Sequence, residues 1–419
     1  MPIICGTDLS AASAGALEVA RALAKQRGDS EVVLVHIADP AGPPGEREVA
    51  IDRARADMDT LLAQITGAPT VRAEMIVGSP DEALVSFAET EGSDLIVIAS
   101  RSDGSGDSRL GSTAALVIAR TTVPVLVVRD AAPWLAFAEG KRPLRLLLGI
   151  DDSATCDLGI QWTQALRARG PIEVVLGAIY YPDDAAAHYG FEAKGLVDRD
   201  PQIEALMVRD LVRRFGGNSL NVTAKARRGL GRIGDHVLEL ANEETIDAIV
   251  VGTGQKTGLG RLGSVSSIIV NDARQSVVCV PPQAAIGTTT VPELRAAMVA
   301  TDLSPFANRA VAYAFAMTPP GGDVHVVHVL KEDEEVDEAE LDNALRALAP
   351  LGSTQTVHAH IVRGDDAATT LAQCAARHGV DVICISSHGR SGIARALVGS
   401  VADKLLRATR LPVLVLRPG

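Results

Sequence analysis

The chain repeats itself three times, and that fact restricts its folding more than any other feature. Three segments open alike: IICGTDLS (3–10), LLLGIDDS (146–153) and AMVATDLS (297–304). Each is a short apolar run ending in Asp8, Asp151 or Asp302, with a serine two residues on. A stretch with helical spacing follows, as in ALEVARALAKQ (16–26) and AVAYAFAM (310–317). Second apolar runs come next at 31–39, 173–181 and 323–331, and later ones at 93–100, 246–253 and 380–387. Every copy then has a Gly/Ser-rich loop with a Gly-Ser pair (Gly111-Ser112, Gly263-Ser264, Gly399-Ser400) and closes on a β-branched run at 123–128, 276–281 or 411–416.

Short apolar runs alternating with 3.6-period segments predict βαβ units around a parallel sheet. The runs are continuous rather than alternating, so the strands are expected to be covered on both faces. Each copy spans about 130–150 residues, enough to hold a core of its own. The predicted fold class is α/β, with three tandem doubly wound five-stranded parallel sheets and helices on both faces. Domains are expected over 1–130, 143–283 and 292–419, with linkers at 130–143 and 282–293 where Pro, Gly and small residues gather. Trp134 and Phe137 in the first linker are expected to pack between domains, because such side chains are seldom left in water.

Composition agrees with this reading. A length of 419 residues exceeds what one core supports. The net charge of −12 argues against nucleic acid or an anionic membrane as partner. No apolar run approaches the roughly 18 residues of a membrane span. The opening MPIICGTDLS lacks a basic region, an apolar core and a cleavage site, so a cytoplasmic location is expected. The five cysteines are odd in number and show no C-x-x-C spacing; four of them sit in or beside apolar stretches and are expected to be small buried hydrophobes in a reducing compartment.

In open parallel sheets, ligands bind beyond the carboxyl ends of the strands where strand order reverses. The three strand-1 aspartates and the three glycine loops should therefore face one crevice per domain. A glycine loop leading into a helix offers backbone N–H groups and a positive helix end to a phosphate. A carboxylate across the crevice accepts hydrogen bonds from ribose hydroxyls or an adenine amine.

These residues resemble the universal stress protein family over nearly the whole chain. That family carries a Gly-x2-Gly-x9-Gly-Ser/Thr motif after its fourth strand. In its nucleotide-binding members the motif holds phosphates and ribose, and the ends of strands 1 and 2 hold the nucleoside. On that resemblance the third domain matches best, reading Ser386-x2-Gly389-x9-Gly399-Ser400. Asp302 stands at its strand-1 position and Val329 at its strand-2 position, and His388 and Arg390 lie in the same loop. The second domain reads Gly252-x2-Gln255-x7-Gly263-Ser264, with Asp151 and Ile179 at the other two positions. The first departs most, with Ala99, Ser102, Gly111 and Ser112 at the motif positions and Asp103 and Asp107 added, which repel phosphate.

The resemblance implies a flavodoxin-like, adenine-nucleotide alpha-hydrolase-like fold. It also implies binding of ATP or AMP, with or without Mg²⁺, in stress response as a sensor or regulator. No serine or cysteine stands with a recurring histidine at any crevice, so binding is expected, with at most slow ATP hydrolysis. Two alternatives remain: a scaffold that binds no nucleotide, and a binder of another small ligand under an insertion at 180–200.

Other motifs carry less. Gly258-x-Gly260-x-x-Gly263 lies too far after the strand and lacks a following acid for a dinucleotide site. No glycine precedes Lys256, so GQKTG is not a phosphate-binding P-loop. His358-x-His360 shares one face of an expected strand, but no third ligand stands at matching spacing, so an ordinary strand is expected. Tyr180, Tyr181, Tyr189 and Phe191 make the insertion either an aromatic lid or, as favoured here, packing against a neighbouring domain. The acidic run at 331–345 reads as a solvated helix start. The closing apolar runs would be exposed sheet edges unless paired. In the resembled family this strand pairs between domains. Three copies leave one over, so two are expected to pair within the chain and the third across a two-fold axis in a homodimer.

Overall fold

The computed structural model describes residues 1–38, 44–100, 110–151, 153–192, 199–217, 220–254, 263–286, 294–387 and 399–417. The first repeat runs β1 (Ile3–Thr7), α1 (Ala11–Arg27), β2 (Glu31–Ala38), α2 (Pro44–Gln64), β3 (Thr70–Val77), α3 (Pro80–Thr90), β4 (Leu95–Ala99), α4 (Ser112–Arg120) and β5 (Val125–Val128). A short helix α5 (Ala132–Ala138) follows. The second repeat runs β6 (Leu144–Gly149), α6 (Ala154–Arg167), β7 (Ile172–Tyr180), α7 (Pro182–Tyr189), α8 (Pro201–Arg214), β8 (Val222–Arg228), α9 (Ile233–Glu243), β9 (Ala248–Gly252), α10 (Ser264–Asp272) and β10 (Ser276–Val280). The third runs β11 (Ala296–Ala300), α11 (Arg309–Met317), β12 (Asp323–Leu330), α12 (Glu338–Arg346), β13 (Thr356–Arg363), α13 (Ala367–His378), β14 (Val382–Ser386), α14 (Ser400–Ala408) and β15 (Val413–Leu416).

Within each repeat all strand pairs are parallel and the order places the first strand between the second and the fourth. The predicted α/β class therefore holds. Strand order reverses beside β1, β6 and β11, which is where a crevice must open.

The chain divides into two compact units, Met1–Tyr180 with Met207–Thr290, and Tyr181–Leu206 with Val291–Gly419. In the first unit the sheets of two repeats join edge to edge. β5 pairs antiparallel with β10, Val127 opposite Val277 and Val125 opposite Cys279, giving one ten-stranded sheet. Every residue of both strands is buried, which removes the exposed edge that each apolar run would otherwise present. The Arg129 side chain fastens the seam by donating to the carbonyls of Val270 (2.7 Å) and Gln275 (3.3 Å). Burial there pulls its guanidinium below the usual arginine range. Trp134 and Phe137 of α5 are fully buried in a core shared by both repeats, as expected of the linker.

The second unit holds a five-stranded sheet in the order β13-β12-β11-β14-β15. Its edge strand β15 pairs with β14 and is half-buried along its length. The segment 180–200 is the insertion that the sequence marks after the second strand of the second repeat. Its described part contains α7, with Pro182 in the first turn and Gly190 in the left-handed conformation at its end. That helix packs on α13: Gln373 donates to the Ala187 carbonyl (3.1 Å), and Arg377 to the carbonyls of Tyr189 (3.2 Å) and Gly190 (2.6 Å). The Arg377 guanidinium also lies over the Phe191 ring. Tyr189 is buried, so Tyr189 and Phe191 are committed to packing rather than to a lid.

All five cysteines are free and buried. Burial pushes the Cys5 and Cys279 thiols up to about 12 and those of Cys156, Cys374 and Cys384 up to about 11, so none is an activated nucleophile. Among the described residues no helix is long and apolar enough to cross a membrane. The acidic run behaves as expected: 331–340 is exposed, and Asp337 caps α12 by accepting from the N–H groups of Ala339 and Glu340.

Candidate functional site

The first repeat shows what the strand order builds. A cavity of about 260 Å³ opens at the ends of β1, β2 and β4, with Thr7, Asp8, Ile37, Ala99, Gly111 and Ser112 in its lining. Asp8 Oδ1 accepts from the Ser10 N–H (3.1 Å) and hydroxyl, while Thr7 Oγ1 accepts from the Leu9 N–H (2.9 Å). Together these bonds hold Leu9 at φ 64°, a left-handed conformation that costs a non-glycine residue about 1–2 kcal/mol. His36 Nδ1 donates to the Thr7 carbonyl at 3.0 Å and locks β2 to the turn.

The third repeat reproduces this frame. Asp302 Oδ1 accepts from the Ser304 N–H (3.0 Å), Thr301 Oγ1 accepts from the Leu303 N–H (3.0 Å), and Leu303 sits at φ 63°. His328 Nδ1 donates to the Thr301 carbonyl at 2.8 Å. Because β11 lies between β12 and β14, Asp302, Val329 and Ser386 all come to one edge of the sheet. Gly399 caps α14 with an extended backbone (φ −63°, ψ 152°), and Ser400 is the first helical residue. The first-turn N–H groups of such a helix lack intrahelical partners and suit an anion. Asp403 in that turn opposes this, but it pairs with Arg407 at 3.4 Å. His388, Gly389 and Arg390 lie outside the described residues.

The second repeat is built differently. Ile150 and Ala178 stand where the other repeats have the threonine and the histidine, so neither of those hydrogen bonds can form. Asp151 Oδ1 still accepts from the Ser153 N–H (2.8 Å), and its hydroxyl also donates there. Arg214 of α8 reaches in and donates to the carbonyls of Asp151 and Ser153 and to Asp157 Oδ1 (2.8 Å). Gly252, the last residue of β9, lies so close to α6 that a Cβ there would stand 2.8 Å from the carbonyl carbon and oxygen of Thr155. This glycine is therefore explained by close backbone approach. Ile179 is half-buried at the end of β7, while Gly263 caps α10 and Ser264 opens it. Gly258 and Gly260 of the G-x-G-x-x-G string fall outside the described residues.

A second group of polar side chains lies elsewhere in the third repeat. His325 of β12, His358 and His360 of β13 and His378 of α13 pack together, with ring centroids 4.2 Å apart for His360–His378 and 4.7 Å for His325–His358. His325 Nδ1 and His360 Nε2 are 2.9 Å apart, and His358 Nε2 lies 2.7 Å from Asp323 Oδ1. Burial holds the His325 ring down to about 3, with His360, His358 and His378 adding repulsion. His360 is pushed down to about 4, first by burial and then by His378, His358 and Arg346. The sequence pattern exposes His358 and His360 as a pair. It misses His325, which joins them through register across the neighbouring strand, and His378, which arrives at the end of a helix. The i, i+2 pair and a histidine at the third residue of both strands were the available signal.

Comparison with known proteins yields three segments matched by the model of the universal stress protein family, at residues 1–129, 144–281 and 293–417. A universal stress protein of Mycobacterium tuberculosis is 27% identical over 294 residues, covering 65% of this chain and 96% of that protein. One from Thermus aquaticus is 33% identical over 135 residues, covering 30% of this chain and 97% of its own. Among solved structures, a universal stress protein of Archaeoglobus fulgidus superposes with a TM-score of 0.51 at 17% identity, covering 67% of this chain and 98% of that one. That last likeness concerns the fold.

Proposed function

The chain belongs to the universal stress protein family, and from that premise we propose that it binds an adenine nucleotide, ATP or AMP, in the third repeat and acts in stress response as a sensor or regulator. One observation carries the proposal: the third repeat repeats the turn geometry that surrounds the cavity of the first, down to Leu303 at φ 63° against Leu9 at φ 64°. It adds the fuller glycine motif, which the first repeat lacks. Asp302 would accept from ribose or the adenine amine, and the backbone at Val329 would meet the base. Gly399 and Ser400, with His388, Gly389 and Arg390, would hold the phosphates, with Mg²⁺ as an optional companion. The second repeat, with Asp151, Ile179, Gly252, Gly263 and Ser264, serves as a structural copy in this reading, because Arg214 and the start of α6 take up its turn.

The purified chain tests this directly. Denaturation should release adenine nucleotide, or calorimetric titration with ATP or AMP should give one saturable site. No released nucleotide together with no heat of binding from either compound overturns the proposal and favours the scaffold alternative.

The proposal includes a cytoplasmic location, which five free thiols suit. It also includes a homodimer formed by edge-to-edge pairing of β15. That strand leaves its outer side unpaired among the described residues, while β5 and β10 cover each other. Light scattering should return twice the 43.7 kDa chain mass, and a chain-sized particle at micromolar concentration contradicts it.

A further inference from the structure

We propose that His325, His360 and His378 form a binding site for a divalent transition metal that favours imidazole ligands, with Zn²⁺ as its reference ion. The site is distinct from the nucleotide crevice and does not depend on it.

The geometry of the cluster is the first argument. One ring nitrogen from each of the three residues lies within 4.8 Å of the others. Ligand atoms about 2.0–2.1 Å from a tetrahedral Zn²⁺ stand roughly 3.3 Å from one another, so small ring rotations close the set. Rigid elements supply every ligand. Strand register puts His325 opposite His358 and Val327 opposite His360, so the three histidines share one face of the sheet. His378 ends α13, which covers that face. His358, held at Asp323, stacks against His325 and fixes its ring plane, the kind of outer support that ligating imidazoles require. His325 is buried at the floor and His378 is exposed at the rim, so an ion has a way in.

The second argument comes from the other copy of the same place. Register aligns Glu31, Val33, Arg72 and Glu74 of the first repeat with Asp323, His325, His358 and His360 of the third. Counting back from the starts of β4 and β14 aligns Glu91 with His378. In the first repeat these positions form a charge node, with Arg72 bonded to Glu31 (3.1 Å), Glu74 (2.5 Å) and Glu91 (2.5 Å). There the central cation is supplied by the protein. The third repeat replaces that cation and two of its three carboxylates with imidazoles, and turns Val33 into a fourth. His358 stands in the place of Arg72, and a bound metal would supply the cation that the arginine supplies in the first repeat. Three histidines would leave an open coordination position for water or another ligand, as in zinc sites that are not purely structural.

The test uses the full chain without a histidine tag, stripped of metal, and titrated with Co²⁺ and then Zn²⁺. Co²⁺ should bind at one ion per chain with the intense visible absorption of tetrahedral coordination, and Zn²⁺ should displace it. His378→Gln changes an exposed side chain and should leave the circular dichroism spectrum intact. It should weaken binding by at least about tenfold to a hundredfold, as should His360→Gln. His188→Gln, at an exposed position of α7, should bind like the wild type. A weak octahedral Co²⁺ spectrum in the wild-type chain overturns the proposal. So does unchanged stoichiometry and affinity in the folded His378→Gln and His360→Gln variants.

Discussion

The crevices of the first and second repeats lie in one continuous sheet and follow the same strand order, yet they differ in kind. The first has a cavity of about 260 Å³ with Ala99 at the end of β4. In the second, Thr155 comes so close to Gly252 that no side chain fits. The first repeat has the poorer glycine motif and the second the richer. A glycine can mark room for a ligand's backbone contact, or it can mark two pieces of backbone already in contact. Sequence cannot separate these cases, because both demand the absence of a Cβ.

Five substitutions sharpen or break this contrast. Gly252→Val should have the largest effect, costing about 3 kcal/mol by overpacking against fixed backbone. It should appear as a lower urea midpoint for the transition of the first two repeats. An unchanged midpoint would mean that α6 is free to retreat and that the second crevice can open. Asp302→Ala comes next: losing hydrogen bonds to a charged acceptor should lower nucleotide affinity about tenfold to a hundredfold. Asp151→Ala should leave that affinity within about twofold, and equal losses in the two variants would erase the distinction between the repeats. Arg214→Ala should cost about 1 kcal/mol, since its guanidinium is partly solvated while it bonds the Asp151 and Ser153 carbonyls. Calorimetric or urea unfolding reads that value. Smallest of all is Ala99→Ser, which brings the third repeat's residue to the first crevice and should change stability by under about 0.5 kcal/mol. A large loss there would mean that the first cavity is as tightly closed as the second.

The repeat made most of the architecture legible. Continuous apolar runs such as 31–38 and 323–330 could only be strands covered on both faces, and the strand-1 aspartates marked the edge where the crevice lies. The choice of partners for the terminal strands was not legible, because the three apolar runs differ too little to say which two pair. Antiparallel pairing of β5 with β10 depends on the shape of two whole repeats. Helix α7 was not legible although Pro182 and Gly190 bracket it, because its eight residues are too few to show a 3.6-residue apolar period. The candidate site was partly legible. Asp302, Val329 and Ser386 come to one sheet edge because of the strand order, but the space around them follows from packing that no motif encodes. The histidine cluster was half visible: spacing along one strand shows His358 and His360, while His325 and His378 join only through register and helix docking.

Photocrosslinking with an azido-adenosine triphosphate, followed by peptide mapping, tests the central claim most directly, because it reports which repeat holds the nucleotide. The account predicts a label, competed by ATP, on peptides around Asp302, Val329 or Gly399. A label confined to the second repeat around Asp151 or Gly252, or no competed label at all, would contradict it.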